Sequence, residues 1–112
     1  MDAMASLRPY QYRPLDSPPT IRILVLQPAD DLSSSLKAQL VHVQGKHLLL
    51  GHGRPGFYEA VSYYWGEPTL SHVLCMNEDS KLGITRNADI VLRHLRSPRK
   101  PRYLWIDAIC LN

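Results

Sequence analysis

Apolar positions along this chain come in short clusters divided by proline, glycine and polar residues, and the period inside each cluster predicts its element. Ile21-Arg22-Ile23-Leu24-Val25-Leu26 is rich in β-branched residues and halts at Gln27-Pro28, which predicts a first strand and a stop. Residues 30–35 read as a turn. Over 36–43 apolar positions alternate with polar ones, predicting a strand that faces the first. The good helix formers in Leu36-Lys37-Ala38-Gln39-Leu40 leave a short helix as the competing reading. The aromatic and β-branched run 58–65 reads as strand, followed by a turn at Gly66-Glu67-Pro68-Thr69. Two apolar runs, 72–76 and 81–84, flank Asn77-Glu78-Asp79-Ser80, the pattern of a hairpin with a four-residue loop. Ile84, Ala88, Val91, Leu92 and Leu95 then share one face of a helix, with Thr85 or Asn87 placed to cap it and Ser97-Pro98 to end it.

The last cluster, 103–111, is apolar almost without interruption, as expected of a central strand covered on both faces. Together with 58–65, read as a second central strand of this kind, it predicts an α/β core of parallel strands joined by a right-handed crossover through the helix, with the hairpin at 72–84 inserted in that crossover. Residues 1–19 hold four prolines and read as an extended, poorly regular lead-in. A buried strand running to Asn112 would leave one sheet face bare. At ~25 cal/mol per Å² the missing cover is a loss of several kcal/mol. The expectation is therefore that more chain, or a partner, supplies that layer.

Composition narrows the class. A length of 112 residues suits one domain, and 45% apolar with 21% charged residues is ordinary globular usage. No apolar run reaches the ~18–20 residues that cross a bilayer, and the N-terminus lacks a secretory h-region, so a soluble intracellular chain is expected. Part of the basic excess behind the formal charge of +3 sits in Arg93-His94-Leu95-Arg96-Ser97-Pro98-Arg99-Lys100-Pro101-Arg102. Without interleaved aromatic residues this reads as a solvated helix end rather than a nucleic-acid surface. Cys75 and Cys110 stand far apart in apolar stretches and are expected as buried thiols, not as a bridge or metal ligands. His42, His47 and His52 recur at a spacing that suits neither a helix face nor a strand face, so no metal site is assigned.

Gly51, Gly53 and Gly56 match G-x-G-x-x-G, the dinucleotide fingerprint. That motif works by opening a helix whose N-terminus receives the pyrophosphate, and here a strand-like run follows instead. A loop is the better reading, and no cofactor is assigned. Ser62 has no His fixed beside it and reads as a small residue packed within a strand. Ligands of open α/β sheets bind beyond the carboxyl ends of strands, which directs attention to Trp65-Gly66 and to 107–112. Asp107, an acid in an apolar run, needs a partner: it is either an anchor to a helix N-terminus or an Arg, or part of a pocket. Trp65 and Trp105 are expected in the core.

Three blocks carry a resemblance to a known family. Tyr58-Glu59-Ala60-Val61-Ser62-Tyr63-Tyr64-Trp65-Gly66 resembles the Y-E-A-L-S-Y-x-W-G block of the fungal heterokaryon-incompatibility (HET) domain. The helix from Ile84 to Arg96 is similar to its V-T-x-N-L-x-x-A-L-x-x-L-R segment, and Leu104-Trp105-Ile106-Asp107-Ala108-Ile109-Cys110-Leu111-Asn112 to L-W-I-D-A-I-C-I-N-Q. The blocks fall in family order across most of the chain. Asn77-Glu78 stands where the family has Asn-Gly, and Ala88 where it has Leu. The resemblance implies a lead-in over 1–19 and an incomplete HET domain over 20–112, lacking the later Glu-Arg helix and W-L-G-like block. It implies a partial flavodoxin/TIR-like sheet, and a cytoplasmic role in non-self recognition and programmed cell death through a protein partner or self-assembly. Ser62, Tyr63, Trp65, Gly66, Asn87, Trp105, Asp107 and Asn112 are the family-motif positions it marks. NAD hydrolysis enters only by analogy with TIR domains and only for a complete domain, and no catalytic residue is assigned.

Overall fold

The structure, a computed structural model, describes residues 7–15, 20–44 and 58–111. The glycine-rich segment 51–56, His47 and Asn112 lie outside the described residues. Seven strands among them form one mixed sheet: β1 (Arg8–Pro9), β2 (Thr20–Leu26), β3 (Lys37–Gln44), β4 (Glu59–Val61), β5 (His72–Met76), β6 (Ser80–Ile84) and β7 (Arg102–Ile106), in the order β1-β6-β5-β3-β2-β7-β4. Two helices accompany it, α1 (Arg86–Leu95) and α2 (Asp107–Cys110).

The sheet is organised around β2. Its residues Ile23, Leu24 and Leu26 are fully buried, and it pairs antiparallel with β3 along its whole length, from Thr20↔Gln44 to Leu26↔Ala38. That pairing decides 36–43 in favour of strand: tertiary hydrogen bonding outweighs a difference in helix propensity of a few tenths of a kcal/mol per residue. On its other side β2 pairs antiparallel with β7, and β7 pairs parallel with β4. The parallel β4–β7 pair joined through α1 is the arrangement expected from the sequence.

Two expectations fail. The 58–65 run is not a central strand. Only Glu59–Val61 pairs, β4 is the sheet's edge, and Tyr63 and Tyr64 are exposed. Aromatic and β-branched content marks residues that fit a pleated surface and does not say how deep the strand lies. Nor does the apolar run 103–111 stay extended. β7 ends at Ile106 and α2 begins at Asp107, turning Ile109 and Cys110 into the core while Asp107 and Ala108 face outwards. An unbroken apolar run cannot distinguish a strand from a strand followed by one buried helical turn.

The hairpin and helix are close to expectation. The loop is three residues, since Ser80 already sits opposite Met76, buried, and donates its hydroxyl to the Met76 carbonyl at 3.0 Å. Asn77 and Glu78 have φ of 54° and 66°, the positive pair of a type I′ turn, and the Asp79 amide closes it on Met76 O at 3.2 Å. Thr85, not Asn87, caps α1, its Oγ1 accepting the Ala88 amide at 3.1 Å. Ile84, Ala88 and Leu92 join Leu24, Leu26, Leu36, Leu74, Met76, Leu104, Ile106, Ile109 and Cys110 in the core. Both cysteines are buried and unbridged.

The basic stretch is largely structural. Arg96, only 8% exposed, donates to the carbonyls of Asp31, Leu32, Ser34 and Ser35, and Arg93 donates to Leu32 O, Ser34 O and the Asp89 carboxylate. Arg102 reaches Glu59 and the Leu95 carbonyl. These guanidiniums fasten the 31–35 loop to α1 and β7 to β4. Part of the lead-in is ordered as well: β1 pairs parallel with β6, and Tyr10 packs on the core.

Candidate functional site

Because β4 and β7 are parallel, with Val61↔Ile106 their last paired residues, the chain leaves both strands at the same end of the sheet. The segments that follow, 62–66 and 107–110, therefore emerge side by side. Trp65, half-buried against the core, donates its indole N–H to Asp107 Oδ1 at 2.8 Å. The same oxygen accepts the Ala108 amide at 2.8 Å, so the carboxylate also occupies the first turn of α2, where a negative charge is favoured. Asp107 is thus an exposed anchor partnered by Trp65 and its own helix, in place of the buried acid in a strand that the sequence predicts.

A second fastening comes from α1. Asn87 donates from Nδ2 to the Tyr64 carbonyl at 3.0 Å. Gly66 follows with φ of +73°, and a Cβ there would lie 2.9 Å from Asn87 Nδ2, so both backbone angle and space call for glycine. The 63–66 segment is held from the start of α2 by Asp107 and from α1 by Asn87. Tyr63 leans on Trp65 with ring centroids 5.7 Å apart, leaving Tyr63 58% and Tyr64 81% exposed. Beside them lies an open cavity of about 450 Å³ lined by Trp65, Glu67, Thr69, Ser71, Arg86 and Asn87.

Of the motif positions, the fold brings together Tyr63, Trp65, Gly66, Asn87 and Asp107. Ser62 is exposed beyond the end of β4 and not packed within a strand. Trp105 lies on β7 opposite Ala60, packed against the core and apart from the Trp65–Asp107 contact. Asn112 is outside the described residues. The Ser–His contact between Ser71 Oγ and His72 Nδ1, 2.9 Å, joins exposed sequence neighbours. Among the described residues no group of three His, Cys, Asp or Glu side chains is placed to hold a metal ion. Nor is any described helix long and apolar enough to cross a membrane.

Sequence reasoning missed what sets α2 in place. Arg22, in the middle of β2 and 5% exposed, lies 5.0 Å over the Tyr12 ring and donates to Cys110 O at 3.4 Å and Arg13 O at 3.0 Å. Tyr12 donates its hydroxyl to Ile109 O at 2.7 Å. Both groups satisfy carbonyls at the end of α2, which helices otherwise leave orphaned. Burial raises the Tyr12 phenol to about 12 and pushes the Cys110 thiol up. The legible signal was a lone Arg inside an apolar strand.

Comparison with known proteins agrees with the motif blocks. The family described as heterokaryon incompatibility protein (HET) matches residues 58–112, which hold β4 to α2 and every residue of the Trp65–Asp107–Asn87 junction. Heterokaryon incompatibility protein 6, OR allele, of Neurospora crassa is 36% identical over 70 residues, covering 52% of this chain and 10% of that protein. The chain thus spans about a tenth of that relative's length. No solved structure matches. With the three blocks in order and their residues joined in one junction, the chain belongs to the heterokaryon incompatibility (HET) family.

Proposed function

We propose that this chain serves non-self recognition in a fungal cytoplasm, docking a protein partner or further copies of itself and so triggering programmed cell death. The observation that carries this reading is the exposed Tyr63–Tyr64 pair on a fixed base. Tyrosine is enriched at protein interfaces, and a segment already pinned by Asp107 and Asn87 loses little further entropy on docking. The parallel β4–β7 pair joined through α1 supports a TIR-like, flavodoxin-like core, to which the antiparallel β2 and β3 would be additions.

The test is inducible expression of the chain in a filamentous fungus beside a Tyr63→Ala/Tyr64→Ala variant, with growth, soluble protein and NAD followed together. Growth arrest by the parent chain but not the variant, at equal soluble levels and steady NAD, is expected. Equal arrest by both removes the aromatic surface from the account, and no arrest by either overturns autonomous action. A fall in NAD on induction would replace docking with TIR-like hydrolysis.

A further inference from the structure

One motif remains outside the family junction. Ser97-Pro98-Arg99-Lys100 places a serine directly before a proline with a cation three residues on. We propose that Ser97 is a phosphorylation site for a proline-directed protein kinase. Proline after the acceptor has no N–H, so a kinase pocket can take the ring without stranding a donor. A cation further along meets an acidic group of the enzyme, which supplies specificity. Ser17-Pro18-Pro19-Thr20 offers the other Ser-Pro pair in the chain and has no such cation, which makes it an internal control.

The fold presents the motif. Ser97 lies in the connection between α1 and β7, where Pro98, Arg99 and Lys100 are exposed and Ser97 is half-buried. Its Oγ accepts the backbone N–H of Arg99 at 3.3 Å and of Lys100 at 3.2 Å, at the surface. Those two amides already converge where a phosphate would be attached. The neighbouring guanidiniums are committed elsewhere: Arg93 and Arg96 to the 31–35 loop, Arg102 to Glu59 and Leu95 O. Arg99 and Lys100 are the exposed cations that flank the acceptor.

In the reaction the Ser97 hydroxyl attacks the γ-phosphorus of ATP. The new O–P bond forms as the bond to the ADP oxygen breaks, and the hydroxyl proton passes to the kinase's base. The product carries a charge of about −1.5 to −2 at pH 7, which takes the formal net charge from +3 to roughly +1. At the C-terminal end of α1 that charge opposes the helix dipole. The two amides and two cations supply the compensating donors and keep the phosphate on the turn.

The experiment incubates the full chain with ATP and a kinase of the cyclin-dependent class, with phosphate located by mass spectrometry. One phosphate on Ser97 is expected, absent in Ser97→Ala and at least tenfold slower to appear in Pro98→Ala and Lys100→Glu, with Ser17 left unmodified. Phosphate on Ser17 in preference to Ser97, or a rate unchanged by Lys100→Glu, overturns the assignment. In the phosphorylated chain the Arg99 and Lys100 amide protons should move downfield as the phosphate titrates near pH ~6. Amides that do not move overturn retention of the phosphate on this turn.

Discussion

Glu78 holds φ of 66° at the second central position of the β5–β6 turn, a conformation that costs a glutamate more than it costs the preceding Asn77. The HET motif has glycine there. Glu78→Gly should therefore raise stability by about 1 kcal/mol, the relief of left-handed strain less the extra freedom glycine has when unfolded. A urea midpoint that rises at unchanged slope would report it, and a midpoint that falls would mean the turn gains more from Glu78 than its backbone angle costs. Gly66 is the converse case, where φ of +73° and the nearness of Asn87 explain why the W-G pair ends the block. Neither backbone angle is written in hydrophobic periodicity, yet both residues stood out in the motifs because glycine and its absence are local, readable signals.

At the scale of elements, α1 does more than cover the sheet. Its C-cap, Arg96, gathers four carbonyls from the 31–35 loop through a planar fork of donors. Lysine keeps the charge but cannot reproduce that geometry, so Arg96→Lys should cost about 1–3 kcal/mol and speed amide exchange in the 31–35 loop while leaving α1 intact. Unchanged exchange there would show that the loop stands on its own turn, Ser34 N to Asp31 O. This role explains what the sequence could and could not tell. The apolar stripe of α1 is a local period and is legible in the sequence, as are β2, the two strands of the hairpin (though not its loop length) and the parallel β4–β7 pair. The reach of Arg96 back across the chain depends on how elements stack, so a run of basic residues looked like a solvated end. Asp107 was misplaced for a related reason. Its apolar neighbours fit a strand and a buried helical turn equally well, and only packing against β2 decides.

For the molecule as a whole, the buried junction of Tyr12, Arg22 and α2 should govern behaviour in alkali. Burial holds the Tyr12 phenol at about 12 against 10.0, and it raises Tyr10 from 10.0 and Cys110 from 9.0. With folded-state values above unfolded ones, the unfolded chain loses these protons first and stability falls as pH rises. The contribution is complete below about pH 9 and is lost progressively through the alkaline range up to about 12. In Tyr12→Phe, denaturation midpoints followed from pH 8 to 11 should decline less steeply than in the parent chain. An identical decline would place the alkaline sensitivity elsewhere. The Tyr63–Gly66 site depends on the same junction, because Asp107 opens the helix whose far end Tyr12 and Arg22 hold.

β7 lies between β2 and β4 in the sheet although it comes after both in sequence, as the last of the described strands. On the ribosome, β2 and β4 are made long before the strand that separates them, and each then offers bare amides and carbonyls to any passing β-segment. Sheet closure must await residues 102–106, and Arg102 marks their arrival by bonding Glu59 on one side and Leu95 on the other. A nascent chain stalled just before that point would carry an open edge on β2 that β7 covers once it pairs. The interval of synthesis before β7 emerges is when the edge of β2 is most open to pairing with the wrong segment.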